Sequence, residues 1–177
     1  MDREVLDIRR RVLGPEHPDT LLSMNNLAYD LYREHRPPEA EKLDRKAFDV
    51  RLRVLGPEHP DTLGSMEVLA VTLDMLHRYP EAAELYRKAI DVQKRVLGPD
   101  HPATASSKYD LACNFALSGR RDQAVATLRD AVEHGLSART ASAIDKDSDF
   151  NSLHGDLRFE ALVARGKGGA APAQKSH

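Results

Sequence analysis

A ten-residue block returns in this chain at a fixed interval. RVLGPEHPDT occupies Arg11 to Thr20, stands unchanged at Arg53 to Thr62, and recurs as RVLGPDHPAT at Arg95 to Thr104. Both intervals are 42 residues. A period of roughly 20–50 residues marks an array in which each unit buries its apolar face only against a neighbour. It argues against a fold closed around one core of non-repeating topology. The period also sets what must be found inside each unit: two helices and two turns fill about that length.

The apolar spacing supplies the helices. The first runs from about Pro18 to His35, with Leu21, Met24, Leu27, Ala28 and Leu31 on one face. The second runs from about Pro38 to Leu55, with Ala40, Leu43, Ala47, Val50 and Val54 on one face. Both follow the three-and-four spacing of an amphipathic helix. Pro18, Pro60 and Pro102 stand in first turns, where a missing N–H leaves nothing unpaired. Asp19 and Asp61 put negative charge at the positive helix end. Gly14, Gly56 and Gly98 follow the second helices, where a left-handed residue is needed, and Pro15, Pro57 and Pro99 prevent continuation. Pro37-Pro38, Tyr79-Pro80 and Ser118-Gly119 mark the turns inside the units.

On these residues the chain resembles the tetratricopeptide repeat. Leu27, Ala28, Leu31, Ala40 and Ala47 recur as Leu69, Ala70, Leu73, Ala82 and Ala89, then as Leu111, Ala112, Phe115, Ala124 and Ala131. This pattern is similar to the signature of that family. The 42-residue length with G-P-E-H-P between units resembles its kinesin-light-chain type. The resemblance covers about Met1 to His134. It implies an all-α fold, an alpha-alpha superhelix (a TPR solenoid) of antiparallel helix pairs, and a non-catalytic scaffold for proteins or peptides. The alanines fit that reading, because helix axes approach to about 8 Å only where side chains are small.

The expected organisation is the second helix of a preceding repeat in residues 1–13, then repeats at 14–55, 56–97 and 98–135. Capping helices follow at 136–165, and a disordered tail at 166–177. The first-helix partner of residues 1–13 is absent, so Val5, Leu6, Ile8 and Val12 are expected to pack only on the following repeat and to stay partly open on the other side. The chain is therefore read as the C-terminal part of a longer array, or as one cut within it. The alternative is a true start whose open N-terminal edge self-associates. The ending, DSDFNSLHGD then LRFEALVARGK, predicts an Asp-capped turn and a short helix, with Phe150, Leu153, Phe159 and Leu162 closing the core. It resembles the closing segment of bacterial tetratricopeptide arrays, with His154 and Leu157 where Arg and Pro are usual.

Composition narrows the chemistry. The 177 residues carry a net charge of −2, with 31% charged and 5% aromatic. A nucleic-acid partner is not expected, since acids interrupt every basic run. The single Cys113 excludes a disulfide framework and a multi-cysteine zinc site. No secretory leader is read at the N-terminus and no apolar run approaches the roughly 20 residues that span a bilayer. The expectation is no membrane association and a cytoplasmic setting. No cofactor is expected, because the glycines at Gly166 lack the context of a phosphate loop.

Three of the eight histidines, His17, His59 and His101, sit in the repeated loop. Equivalent atoms of successive units lie about 8–10 Å apart, whereas zinc ligands lie about 2 Å from one ion. These histidines therefore read as loop residues that cap the next helix or bond the turn. Cys113 has no neighbouring base and reads as packing or groove lining. No catalytic residues are predicted.

Partners of such an array are expected on the faces of the first helices turned away from the second helices. That face carries Asn25, Asn26, Tyr29, Tyr32 and Arg33 in the first unit, and Glu67, Val71, Asp74 and Met75 in the second. The third supplies Tyr109, Cys113, Ala116 and Leu117. An amide both donates and accepts, so Asn25 and Asn26 suit a peptide backbone, and tyrosines suit interface anchors. The Asn pair also resembles the asparagines that contact cargo peptides in kinesin-light-chain repeats. The leading function is a protein- or peptide-binding module. The competing one is a regulatory or substrate-recruiting region of a multidomain signalling enzyme, such as a bacterial serine/threonine kinase.

Overall fold

The repeated punctuation becomes helix ends. In the computed structural model, which describes residues 2–168, the helices are α1 (Asp2–Val12), α2 (Pro18–Arg33), α3 (Pro37–Leu55), α4 (Pro60–Met75) and α5 (Tyr79–Val96). They continue as α6 (Pro102–Leu117), α7 (Arg121–Glu133), α8 (Ala138–Ala141) and α9 (Leu157–Lys167). Two 3₁₀ segments, Ile144–Lys146 and Ser148–Leu153, precede α9. No strand occurs among the described residues.

Each histidine of the repeated loop caps the helix that follows it. Nδ1 of His17, His59 and His101 accepts from the backbone N–H of Asp19 (3.2 Å), Asp61 (3.1 Å) and Ala103 (3.1 Å). The N-termini of α2, α4 and α6 are thereby partnered before Pro18, Pro60 and Pro102 begin the helix. The glycines before these loops do hold positive φ. Gly56, at φ 84° and ψ 169°, occupies the extended positive-φ region rather than the left-handed helical one expected for it.

Left-handed residues occur instead at the turn inside each repeat. His35 (φ 58°), His77 (φ 57°) and Gly119 (φ 75°) stand at equivalent positions, 42 residues apart. The following N–H reaches back five residues each time: Arg36 to Leu31, Arg78 to Leu73, Arg120 to Phe115. This is the Schellman closure, and it reverses the chain within three residues, so the paired helices run antiparallel.

The chain divides into two compact units, the boundary in sequence falling within α5 between Ala89 and Ile90. In the first unit α2 packs on α1 and α3, and α3 on α4. Met24, Ala28, Leu31, Ala40 and Ala47 are buried there, with Leu27, Leu43 and Val50 partly so. Leu69, Ala70, Leu73, Ala82 and Ala89 are also inside. Val54, placed inward by periodicity, is 53% exposed near the C-terminal end of α3. Along α1, Leu6 is buried while Val5, Ile8 and Val12 remain exposed.

The second unit packs α6 on α7, and the 3₁₀ segment Ser148–Leu153 on α6. Phe150, Leu153, Phe159 and Leu162 are buried, as their spacing predicts. Asp147 accepts from the N–H of Asp149 and Asp156 from that of Arg158, so both acids act as caps. The first helix of the expected capping region is the short α8, capped by the Ser137 hydroxyl. Gly166 and Lys167, expected in the tail, belong to a helix instead. α9 continues through Lys167, and Gly166 lies so close to the Ala141 carbonyl that a Cβ there would overlap it. Residues 169–177 of that expected tail lie outside the described residues.

Candidate functional site

Helix periodicity places Asn25, Tyr29 and Tyr32 along one face of α2, and Glu67, Val68, Val71, Thr72 and Met75 along one face of α4. Between the two faces lies a groove of about 440 Å³. Its lining is mostly apolar: Ala28, Val68, Val71, Met75 and the tyrosine rings. Gly64 opens it, standing where the preceding repeat has Leu22, with open space in the direction a Cβ would take. Tyr29 is 63% exposed and Tyr32 39%, so both present ring surface to solvent.

The rim is partly committed to structure. Arg51 of α3 donates to the Ser65 hydroxyl and, at 3.4 Å, to Oδ1 of Asn25. Arg9 makes the corresponding bond to Ser23 at 2.7 Å. A basic residue late in one second helix therefore ties down the next first helix. The side-chain oxygen of Asn25 thus braces α3.

Asp44 lines the same groove from α3 and is 2% exposed. Its Oδ2 accepts from the Thr72 hydroxyl at 2.8 Å, and its buried Oδ1 has no hydrogen-bond partner. Burial pushes this carboxyl up to about 6, and the Thr72 bond only partly offsets that. The equivalent positions of the later repeats hold Tyr86 and Leu128, both buried. Asp44 was not among the expected site residues. Reading the 42-residue columns sets it apart from the buried Tyr86 and Leu128 of the later repeats, although the column also holds an acid, Asp2, in α1.

Of the residues expected to face a partner, Asn25, Tyr29, Tyr32, Glu67, Val71 and Met75 converge on this groove. Asn26 and Arg33 are exposed but do not line it. Asp74 accepts from the Tyr86 hydroxyl at 3.1 Å and is half-buried. In the third repeat the expectation of an open face fails. Tyr109, Cys113 and Ala116 are covered by the chain's own C-terminal segment. The Tyr109 hydroxyl bonds Asp147 at 2.5 Å, and its ring meets Phe150 edge-on at 5.4 Å. Ser152 donates to the Ala116 carbonyl at 3.2 Å, and Cys113 is 8% exposed. Burial, then the Asp147 bond, pushes the Tyr109 phenol up. Burial and the neighbouring Asp147 charge push Asp149 up, while a bond to Cys113 pulls it down. Leu117 alone stays open, at 41%.

Among the described residues no group of three or more His, Cys, Asp or Glu is arranged to hold a metal ion. No described helix is long and apolar enough to cross a membrane.

The model of the tetratricopeptide repeat matches residues 1–51, 23–95 and 76–135, which together span the helices α1 to α7. The chain belongs to the tetratricopeptide repeat family. Among solved structures it is similar to the nearly identical kinesin-light-chain TPR-like repeats of Podosopora anserina. That match has a TM-score of 0.75 and 25% identity, over 99% of this chain and 86% of that one. It also matches BtubC (BKLC) from P. vanneervenii, with a TM-score of 0.73 and 20% identity, over 99% of this chain and 75% of that one. The second match shows the fold alone. Among curated proteins no sequence match is found. The fold class is therefore all-α, of the tetratricopeptide solenoid kind, and such repeats generally serve as scaffolds for protein–protein interaction.

Proposed function

We propose that this tetratricopeptide chain is a non-catalytic scaffold that binds a protein or peptide segment in the groove between α2 and α4. The observation that carries this is the groove itself. Its apolar lining stays open between two first helices, and exposed tyrosines stand at its edge. A surface of this kind remains wet and unpaired until a side chain fills it. Tyr29, Tyr32 and Val71 would supply the apolar anchoring area, and Asn25 and Glu67 the polar contacts that orient a backbone. Asn26 and Arg33 extend the same helix face and would touch a longer segment. Tyr109 and Cys113, beneath the C-terminal segment, take no part.

Selection of a displayed library of short random peptides on the intact chain tests this. Peptides that survive should bind Tyr29→Ala and Val71→Arg variants at least about tenfold more weakly, since an anchor residue contributes about 2 kcal/mol. Equal binding to parent and both variants would remove the groove as the site.

A further inference from the structure

Asp44 is the one element of the groove that packing does not account for. In the later repeats this column buries Tyr86 and Leu128, so an apolar or aromatic side chain suits the place, while the other acid of the column, Asp2, is only half-buried at the start of α1. A buried carboxylate with one oxygen unpartnered is unfavourable unless a donor arrives to meet it. The torsion that turns an Asp carboxylate is soft, so Oδ1 can swing toward the groove without moving α3. Glu67 adds a second acid to the lining. Arg51 bonds Ser65 and Asn25 rather than Asp44, and it does not line the groove.

Resting on the peptide-binding reading above, we propose that the groove takes a basic side chain of a bound peptide, a lysine or arginine. Its methylene stem lies along the apolar wall, and its cation meets Asp44. The observations favour a cation over a neutral donor. A hydroxyl or indole N–H would pair one oxygen and leave the charge of the carboxylate buried. A cation supplies both a hydrogen bond and the opposite charge. The exposed faces of Tyr29 and Tyr32 also attract a cation on its way in. Long basic side chains carry apolar stems that match the apolar wall.

The peptides selected on the intact chain supply the test. The selected sequences should share one basic position. Replacing that residue by norleucine, which keeps the stem and removes the charge, should weaken binding to the parent about tenfold or more. On Asp44→Asn the same replacement should change binding less than about twofold. Because the replacement is made in the peptide, the comparison does not depend on how the protein variant folds. Peptides that need Tyr29 yet carry no basic residue, or tolerate norleucine, overturn this proposal and leave the groove as the site. Peptides indifferent to Tyr29→Ala and Val71→Arg, or the enrichment of none, overturn both.

Discussion

At the scale of single residues, Asp44 sets a pH dependence whose sign is opposite to that of most carboxylates. Its pKa rises on folding from 3.8 to about 6. The native chain therefore binds this proton where the unfolded chain has released it. Below the unfolded value the carboxyl is neutral in both states and carries no penalty. As pH rises through about 6 the native charge forms in a buried place, and stability falls. The shift corresponds to about 3 kcal/mol at most. Asp44→Asn, which keeps the shape and the Thr72 bond, should raise stability by about 1–3 kcal/mol at neutral pH. The gain should shrink toward zero near about pH 4. Urea melts of parent and variant at the two pH values measure it, and equal midpoints at neutral pH would contradict the assignment.

At the scale of the helix, the repeated loop acts through its histidines. Each one offers Nδ1 to an N–H that the first turn of a helix leaves unpaired. His59→Ala should therefore cost about 0.5–2 kcal/mol, and His59→Asp should restore most of it, since a carboxylate caps as well. Denaturant melts of the two variants separate this capping role from one in general packing, in which both would be equally damaging. The helix ends also show how far the pattern could be read. The capping reading followed from spacing alone, because a ladder of equivalent residues cannot converge on one ion. The left-handed turns at His35 and His77 were hidden, because a non-glycine residue gives no local sign of positive φ. Only Gly119, one and two periods later, points back to them.

At the scale of the whole molecule, the C-terminal segment determines which first helix stays open. In the second unit, Phe150 and Leu153 lie fully buried and cover the face of α6 that earlier repeats leave exposed. Phe150→Ala should cost about 3–5 kcal/mol in that unit and open the way to Cys113. The rate at which a soluble disulfide reagent labels Cys113 in native buffer should rise well above that of the parent. An unchanged rate would mean that other residues shield the thiol. The groove of the first unit, between α2 and α4, has no such cover among the described residues.

By itself the sequence determined the repeat length, the alternation of first and second helices, the alanine positions where they pack, and the capped ending. All of these follow from local periodicity and from residues whose backbone preferences are strong. Only the tertiary structure decided which members of the expected face meet. Tyr29 and Val71 share a groove because their helices lie side by side, whereas Cys113, their equivalent in the third repeat, is buried, and Tyr109, the equivalent of Asn25 and Glu67, packs against Phe150. It also decided the state of Asp44. A carboxylate in an amphipathic helix reads as surface until the neighbouring helix, with Thr72, closes over it. Burial depends on what packs against a residue from far along the chain, and periodicity within one helix carries no record of that.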